Sequence, residues 1–282
     1  MTLIPYIRLV RPHQCVKNLI LFFPPFLGGV LFKPGVLALG FLPFVSFTSA
    51  SSATYILNDI LDSRSDANHP QKKLRPIPSG EVSPLTAWGM SGFFLTLSLF
   101  LAWKVSFAFL LILSLYIVIS TAYSLALKHY PLLDIFCIAA GFLLRLLAGG
   151  AAFSVVISDW LFLSVFLLAL FLGTGKRLSE KNMLGDKAES HRKALLAYPR
   201  GFLEGAMYLT GGSVLVTYTM YVITRHSMVY TVPLCCFGLL RYMLRVHQGL
   251  GGDPTDALLK DIPLFSVGLI WTIMVGWAIY GR

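Results

Sequence analysis

Long apolar runs separated by short polar stretches recur along the whole chain. Val36 to Leu57, Leu85 to Trp103 and Phe202 to Ile223 each suffice to cross a bilayer core, which is about 30 Å thick and takes roughly 20 helical residues. The runs are continuous and lack the alternation of a barrel strand. Backbone groups in lipid must be satisfied within the segment, so helices are expected. The pattern predicts nine spans, at about 17–32, 36–57, 85–103, 106–127, 135–157, 160–174, 202–223, 228–245 and 264–280. Pro24 and Pro25 interrupt the first and the sixth is short, so these two are the spans expected to tilt, break or re-enter. The fold class expected is all-α, a polytopic membrane bundle of nine transmembrane helices in a single domain over 1–282. No signal peptide is expected: Arg8, Arg11 and Lys17 imitate its basic region, but the two prolines break the run that follows.

Composition agrees. Apolar residues make up 56% of the 282 positions and charged ones 13%, a balance that a soluble domain of this length cannot bury around one core. Charge then sets the orientation. One side of the membrane holds the N-terminus and the loops near 58–84, 128–134, 175–201 and 246–263; the other holds the short turns and the C-terminus. Of the 23 Lys and Arg, only Lys33, Lys104, Arg225 and Arg282 fall on the second side. The positive-inside rule puts the N-terminus and those loops in the cytoplasm, with the chain in the inner (plasma) membrane among its lipids. Topology accounts for most basic residues, so no nucleic-acid partner is expected. Acids gather on the same face, with Asp159 the one clearly opposite. The rule does not require that, and it points to a site. Cys15, Cys137, Cys235 and Cys236 have no metal-ligand spacing and read as small hydrophobes.

The site begins where the second span ends, at Asn58-Asp59-Ile60-Leu61-Asp62-Ser63-Arg64-Ser65-Asp66. On a helix, Asp59, Asp62 and Asp66 are spaced i, i+3 and i+7 and share one face. Three carboxylates together repel one another unless a cation sits among them. Hard oxygen ligands suit Mg²⁺, which prefers to share its shell with water and substrate phosphates. Asn58 is positioned to hold the helix end or a metal-bound water. Lys72, Lys73 and Arg75 follow at once. They fit a polyphosphate clamped between metal and cations, Arg by paired hydrogen bonds and Lys as a point charge, though topology explains Lys72 and Lys73 equally well.

Asn58 to Asp66, the Arg75-Pro76 that follows, and Tyr123-Ser124 with Lys128 and Asp134 resemble the first two signature regions of the UbiA superfamily, and the likeness covers nearly the whole chain. The resemblance implies a nine-helix membrane transferase that moves a group from, or onto, a polyprenyl chain using Mg²⁺-bound diphosphate at a cytoplasmic-facing site. It brings Tyr123 and Lys128 into the expected substrate site.

Most members carry a second D-x-x-x-D motif after the sixth span. Here the loop reads Gly175-Lys176-Arg177-Leu178-Ser179-Glu180-Lys181, with Asp186 and Glu189 further on, and cations dominate it. That K-R-x-x-E sequence, the distal Arg192-Lys193 with Tyr198, and Arg11-Pro12-His13-Gln14-Cys15-Val16-Lys17-Asn18 resemble the polyprenyl-phosphate phosphoribosyltransferase branch. In that branch's R-P-x-Q-W-V-K-N this chain has Cys15 for the Trp. The branch implies transfer of 5-phosphoribose from phosphoribosyl pyrophosphate to a polyprenyl phosphate, for envelope glycan precursors, with Asn18 beside the substrate. The chemistry agrees, because donor and acceptor together bring more phosphate charge than a prenyl diphosphate. Arg11 and Lys17 are assigned to the ribose 5-phosphate or the lipid phosphate, and Lys176 and Arg177 to the ribose donor. Glu180 orients a cation or binds a ribose hydroxyl; a helix-surface ion pair explains it equally. A prenyltransferase acting on an aromatic or tetrapyrrole acceptor is the alternative, and would place prenyl diphosphate on the same Asp face. A transporter would call for inverted repeats, and no internal repeat is apparent.

Arg145 stands inside the fifth span, in Gly141-Phe-Leu-Leu-Arg145-Leu-Leu-Ala-Gly149, where an unpaired cation costs at least about 2.5 kcal/mol. It is expected to face the bundle interior or a wet cavity as a substrate contact, or to pair with Asp134 or another buried Asp. Gly141 and Gly149 share a face and allow close approach. Arg241, with Tyr242, Arg245 and the loop Gly251-Gly252-Asp253-Pro254-Thr255-Asp256, faces the same side. Arg241 is read as a substrate contact and Asp256 and Asp261 as candidates for a second metal or the ribose hydroxyls. Turn chemistry alone explains Gly-Gly-Asp-Pro.

Overall fold

A computed structural model describes residues 3–68, 72–184, 195, 197–225 and 228–281. Asp186, Glu189, Arg192, Lys193 and Arg282 lie outside the described residues. Every regular element among the described residues is helical: α1 Ile4–Val10, a 3₁₀ segment Pro12–Phe22, α2 Phe23–Leu27, α3 Val36–Asp66, α4 Pro84–Val105, α5 Phe107–Leu125, α6 Leu133–Phe153, α7 Asp159–Leu184, α8 Phe202–Ile223, α9 Val232–His247, α10 Pro254–Lys260 and α11 Ile262–Tyr280.

Eight stretches among the described residues are long and apolar enough to cross a membrane, namely α3 to α8, Val229–His247 and α11. The first expected span is not one of them. Pro12, Pro24 and Pro25 each lack a backbone N–H, and the chain there runs as a 3₁₀ segment and one short helix. The sixth span is longer than expected: α7 is 26 residues and carries Lys176, Arg177 and Glu180 on its cytoplasm-expected end as helix, not loop. Its polar end is rich in good helix formers and holds no proline. Its glycines do not break it because neighbours pack onto them; a Cβ at Gly175 would lie 2.6 Å from the Tyr242 ring.

The chain divides into two compact units. One comprises 1–25, 31–130 and 144–155; the other comprises 26–30, 131–143 and 156–282. In the first, α3 packs on α4 and α5. Small residues line the α3–α4 seam, where Ser46 donates to the Ser98 carbonyl at 2.8 Å and Ser91 to the Ala53 carbonyl at 3.0 Å. Such bonds are a main source of helix association in lipid. Phe47, Phe109, Leu113, Tyr116, Leu144 and Ala148 form the core beside them. Gly149 is required there, because a Cβ would collide with the Leu21 carbonyl. In the second unit α7 packs on α8, around Ala169, Phe171, Leu178, Met207 and Tyr242.

Candidate active site

Helix α3 does not stop at the end of its apolar run but continues through the acidic motif to Asp66. That continuation puts the three carboxylates on one face, as their spacing requires. Each is closed by a cation. Asp59, almost wholly buried, accepts on Oδ1 from Arg11 Nη2 at 2.5 Å and from Arg75 Nη1 at 3.1 Å. The same Arg75 nitrogen reaches Asp66 Oδ2 at 2.5 Å, and Lys72 Nζ lies 3.9 Å from Asp66 Oδ1. Lys128 Nζ donates to Asp62 Oδ1 at 2.5 Å and to Asn58 Oδ1 at 3.4 Å.

Local structure explains each cation. Pro12 ends α1 at Arg11, which takes a left-handed φ of 55° and sits 5.4 Å over the Tyr55 ring. Arg75 follows a 3₁₀ turn, with its N–H bonded to the Lys72 carbonyl at 2.9 Å. Lys128 belongs to the 3₁₀ turn Leu127–His129 after α5 and is buried. Four cations therefore face three carboxylates, and the excess positive charge suits an anionic ligand. Lys73 is exposed beside them, and Tyr123 lies near the end of α5.

The donor chemistry fits a hard divalent ion, since three carboxylates on one face supply only oxygen. Among the described residues these oxygens do not converge as a metal-ligating group. Arg75 bridges Asp59 and Asp66, so holding a divalent ion between them requires Arg75 to release both.

Arg145 and Asn18 form a separate cluster in the same unit. The Arg145 guanidinium donates through Nε to Asn18 Oδ1 at 2.8 Å and through Nη2 to Tyr116 OH at 3.0 Å and Ser51 Oγ at 3.3 Å. It lies over the Tyr116 and Phe47 rings at 4.7 and 5.3 Å. Asn18 is fully buried and also donates to Thr48 Oγ1 at 3.0 Å. The expected placement of Arg145 in the bundle interior holds. Asn18 supports this buried cation. Tyr116 and Ser51 were not singled out from the sequence. The signals were there, in a Tyr at the middle of the apolar α5 and in the small polar run Ser49 to Thr54.

In the second unit, Asp134 accepts from Arg177 Nε at 2.5 Å and from Tyr198 OH at 2.9 Å, and Tyr198 OH in turn accepts from the Leu132 N–H at 2.7 Å. The suggested pairing of Arg145 with Asp134 gives way to this one, because Arg177 and Tyr198 take both Asp134 oxygens. Arg177 also donates to Glu180 at 2.6 Å and is 1% exposed. Its assignment to a substrate phosphate is therefore revised: in this arrangement its guanidinium is committed inside the protein. Burial, aided by the Asp134 charge, pushes the Tyr198 hydroxyl up to about 12. Lys176, by contrast, is partly exposed and pairs with Asp253 at 2.8 Å.

Arg241 clasps Asp261 with Nε and Nη2, both at 3.0 Å, and Arg245 Nη1 adds a contact at 3.4 Å. Asp261 also accepts from the Leu264 N–H at 3.1 Å, capping α11. The Arg241 hydrogen bonds hold its carboxyl below the usual range. These partners occupy Asp261, while Asp256 forms an exposed pair with Lys260 at 3.2 Å.

The UbiA prenyltransferase family matches over residues 21–267. A decaprenyl-phosphate phosphoribosyltransferase of Mycolicibacterium smegmatis is 31% identical over 97% of this chain and 92% of its own length. One from Mycobacterium tuberculosis is also 31% identical, over 97% and 93%. Among solved structures, a UbiA homologue from Archaeoglobus fulgidus bound to GPP and Mg²⁺ superposes with a TM-score of 0.73, at 21% identity, over 99% of this chain and 100% of that one.

Proposed function

This chain belongs to the UbiA prenyltransferase family, and from that premise we propose that it transfers 5-phosphoribose from phosphoribosyl pyrophosphate to a membrane polyprenyl phosphate, releasing diphosphate. The observation that carries the reading is the surplus of cations around the acidic motif: Arg11, Lys72, Arg75 and Lys128 surround Asp59, Asp62 and Asp66. Substrates carrying several phosphates match that balance. The transferases named for decaprenyl phosphate, aligned over nearly the whole chain, support it.

Asp59, Asp62 and Asp66 would hold Mg²⁺, consistent with the Mg²⁺ in the Archaeoglobus homologue. When bound, the ion neutralises the leaving diphosphate. Arg75 and Arg11, released from the carboxylates, turn their donors to the diphosphate oxygens and stabilise the charge that develops as the bond from ribose C1 breaks. The electron pair leaves with diphosphate. A lipid phosphate oxygen attacks C1 and forms the new C–O bond. That phosphate is largely ionised near neutral pH, so no strong general base is needed. Asn58, held by Lys128, fixes the end of the acidic face.

The orientation proposed puts the N-terminus and the acidic motif on the cytoplasmic side of the inner membrane, where a soluble sugar donor is available, and the product would enter envelope glycan synthesis. Asp59→Asn and Asp62→Asn test the site. Each is expected to abolish turnover while leaving the protein folded in detergent; undiminished activity would refute the metal assignment.

A further inference from the structure

Gly252 presses against the helix that carries Lys176. A Cβ there would lie 2.7 Å from the Gly175 carbonyl oxygen and 2.8 Å from both Lys176 Cα and Ser179 Cβ, so only glycine lets the loop lie this close. Tyr242 ties the contact down, with its hydroxyl 2.6 Å from the Gly252 carbonyl oxygen and 3.0 Å from that of Leu172. Arg245 donates to the Leu250 carbonyl at 2.8 Å. Gly249 and Gly251 make the turns, at φ 73° and 88°. The result is a strap over 249–253 fixed on α7 beside Lys176.

Asp253 ends the strap, and its two oxygens do different things. Oδ1 accepts from the Thr255 N–H at 3.0 Å and the Asp256 N–H at 3.4 Å, capping α10. Oδ2 accepts from Lys176 Nζ at 2.8 Å. The cap holds the carboxylate in place whether or not Lys176 stays with it. The Lys176 and Asp253 side chains keep 33% and 27% of their surface exposed, so an anion arriving from solvent reaches the ammonium.

We propose that Lys176 is a phosphate-binding residue which Asp253 masks until a phosphate group displaces the carboxylate. The proposal deepens the transferase reading and rests on it for the identity of the donor. A phosphate group carries more negative charge than one carboxylate, and Asp253 keeps its cap after the exchange. Asp253 therefore competes with the incoming phosphate, and removing its charge while keeping the cap tightens phosphate binding.

The test titrates purified full-length protein in detergent with inorganic diphosphate, using wild type, Asp253→Asn, Lys176→Ala and the double variant. Asn keeps the cap, and Asp253→Ser, which also caps, guards against a variant that misfolds. Asp253→Asn is expected to bind diphosphate about threefold tighter, the size of a partly exposed ion pair, and the gain is expected to vanish without Lys176. Unchanged or weaker binding in both Asp253 variants, a gain that persists in the absence of Lys176, or no binding to wild type overturns the proposal. Turnover of phosphoribosyl pyrophosphate is measured on the same preparations. Tighter diphosphate binding through Lys176 without any such turnover keeps the strap and removes the donor assignment.

Discussion

Lys128 Nζ lies 2.5 Å from Asp62 Oδ1, although 66 residues separate them along the chain. The lysine is buried and the aspartate a quarter exposed, so the protein positions the ammonium and leaves the carboxylate facing solvent. Lys128→Met deletes both hydrogen bonds that the ammonium makes at the acidic face, to Asp62 and to Asn58, of which the one to the carboxylate is worth about 1.5 kcal/mol. The donor kcat/KM is expected to fall about tenfold or more. Initial rates of diphosphate release measure this, and an unchanged kcat/KM would remove Lys128 from the site.

Arg177 and Asp134 have a different role from the one their motifs suggested. Both are almost fully out of solvent, and Arg177→Met leaves the Asp134 carboxylate buried without its cation. Breaking a buried pair from one side costs about 3–5 kcal/mol. The thermal midpoint in detergent is expected to drop well below that of Lys176→Ala, whose ion pair is partly exposed. Equal midpoints for the two variants would return Arg177 to the substrate site.

Tyr198 makes that network sensitive to alkali. Its hydroxyl titrates near 12 in the folded protein and near 10 when unfolded. The unfolded chain loses the proton first, so the contribution to stability is complete below pH 10 and is lost as pH rises toward 12. Wild type is therefore expected to lose thermal midpoint more steeply than Tyr198→Phe between pH 10 and 12. Parallel slopes would contradict this assignment.

Arg145 is held by Asn18, Ser51 and Tyr116. Arg145→Met strands buried polar atoms that cost about 1–3 kcal/mol each when left unpaired, and the thermal midpoint is expected to fall. Arg145→Met with Asn18→Leu replaces both partners by apolar groups and is expected to recover part of the loss. No recovery in the double variant would show that Arg145 does not depend on Asn18.

The long apolar runs made the spanning helices legible, and the i, i+3, i+7 spacing made the shared face of Asp59, Asp62 and Asp66 legible, because both follow from local periodicity. The break in the first span was legible in Pro24 and Pro25, but its course as a 3₁₀ segment from Pro12 was not, since hydropathy does not register the donor that a proline lacks. The extent of α7 was hidden by its charges, which read as a loop although Lys, Arg and Glu all favour helix. Partner choice was the least legible. Which cation closes Asp134, and that Asn18 turns inward to Arg145, depend on contacts across 43 and 127 residues, and no sequence window contains both ends.

The central claim is tested most directly by mixing purified protein, Mg²⁺ and phosphoribosyl pyrophosphate with polyprenyl phosphate, and following diphosphate and the phosphoribosylated lipid together. The two products are expected to form in equal amounts, and to disappear with a chelator and in Asp59→Asn. No phosphoribosylated lipid, with consumption instead of a prenyl diphosphate and an aromatic acceptor, would contradict the account and make this chain a prenyltransferase.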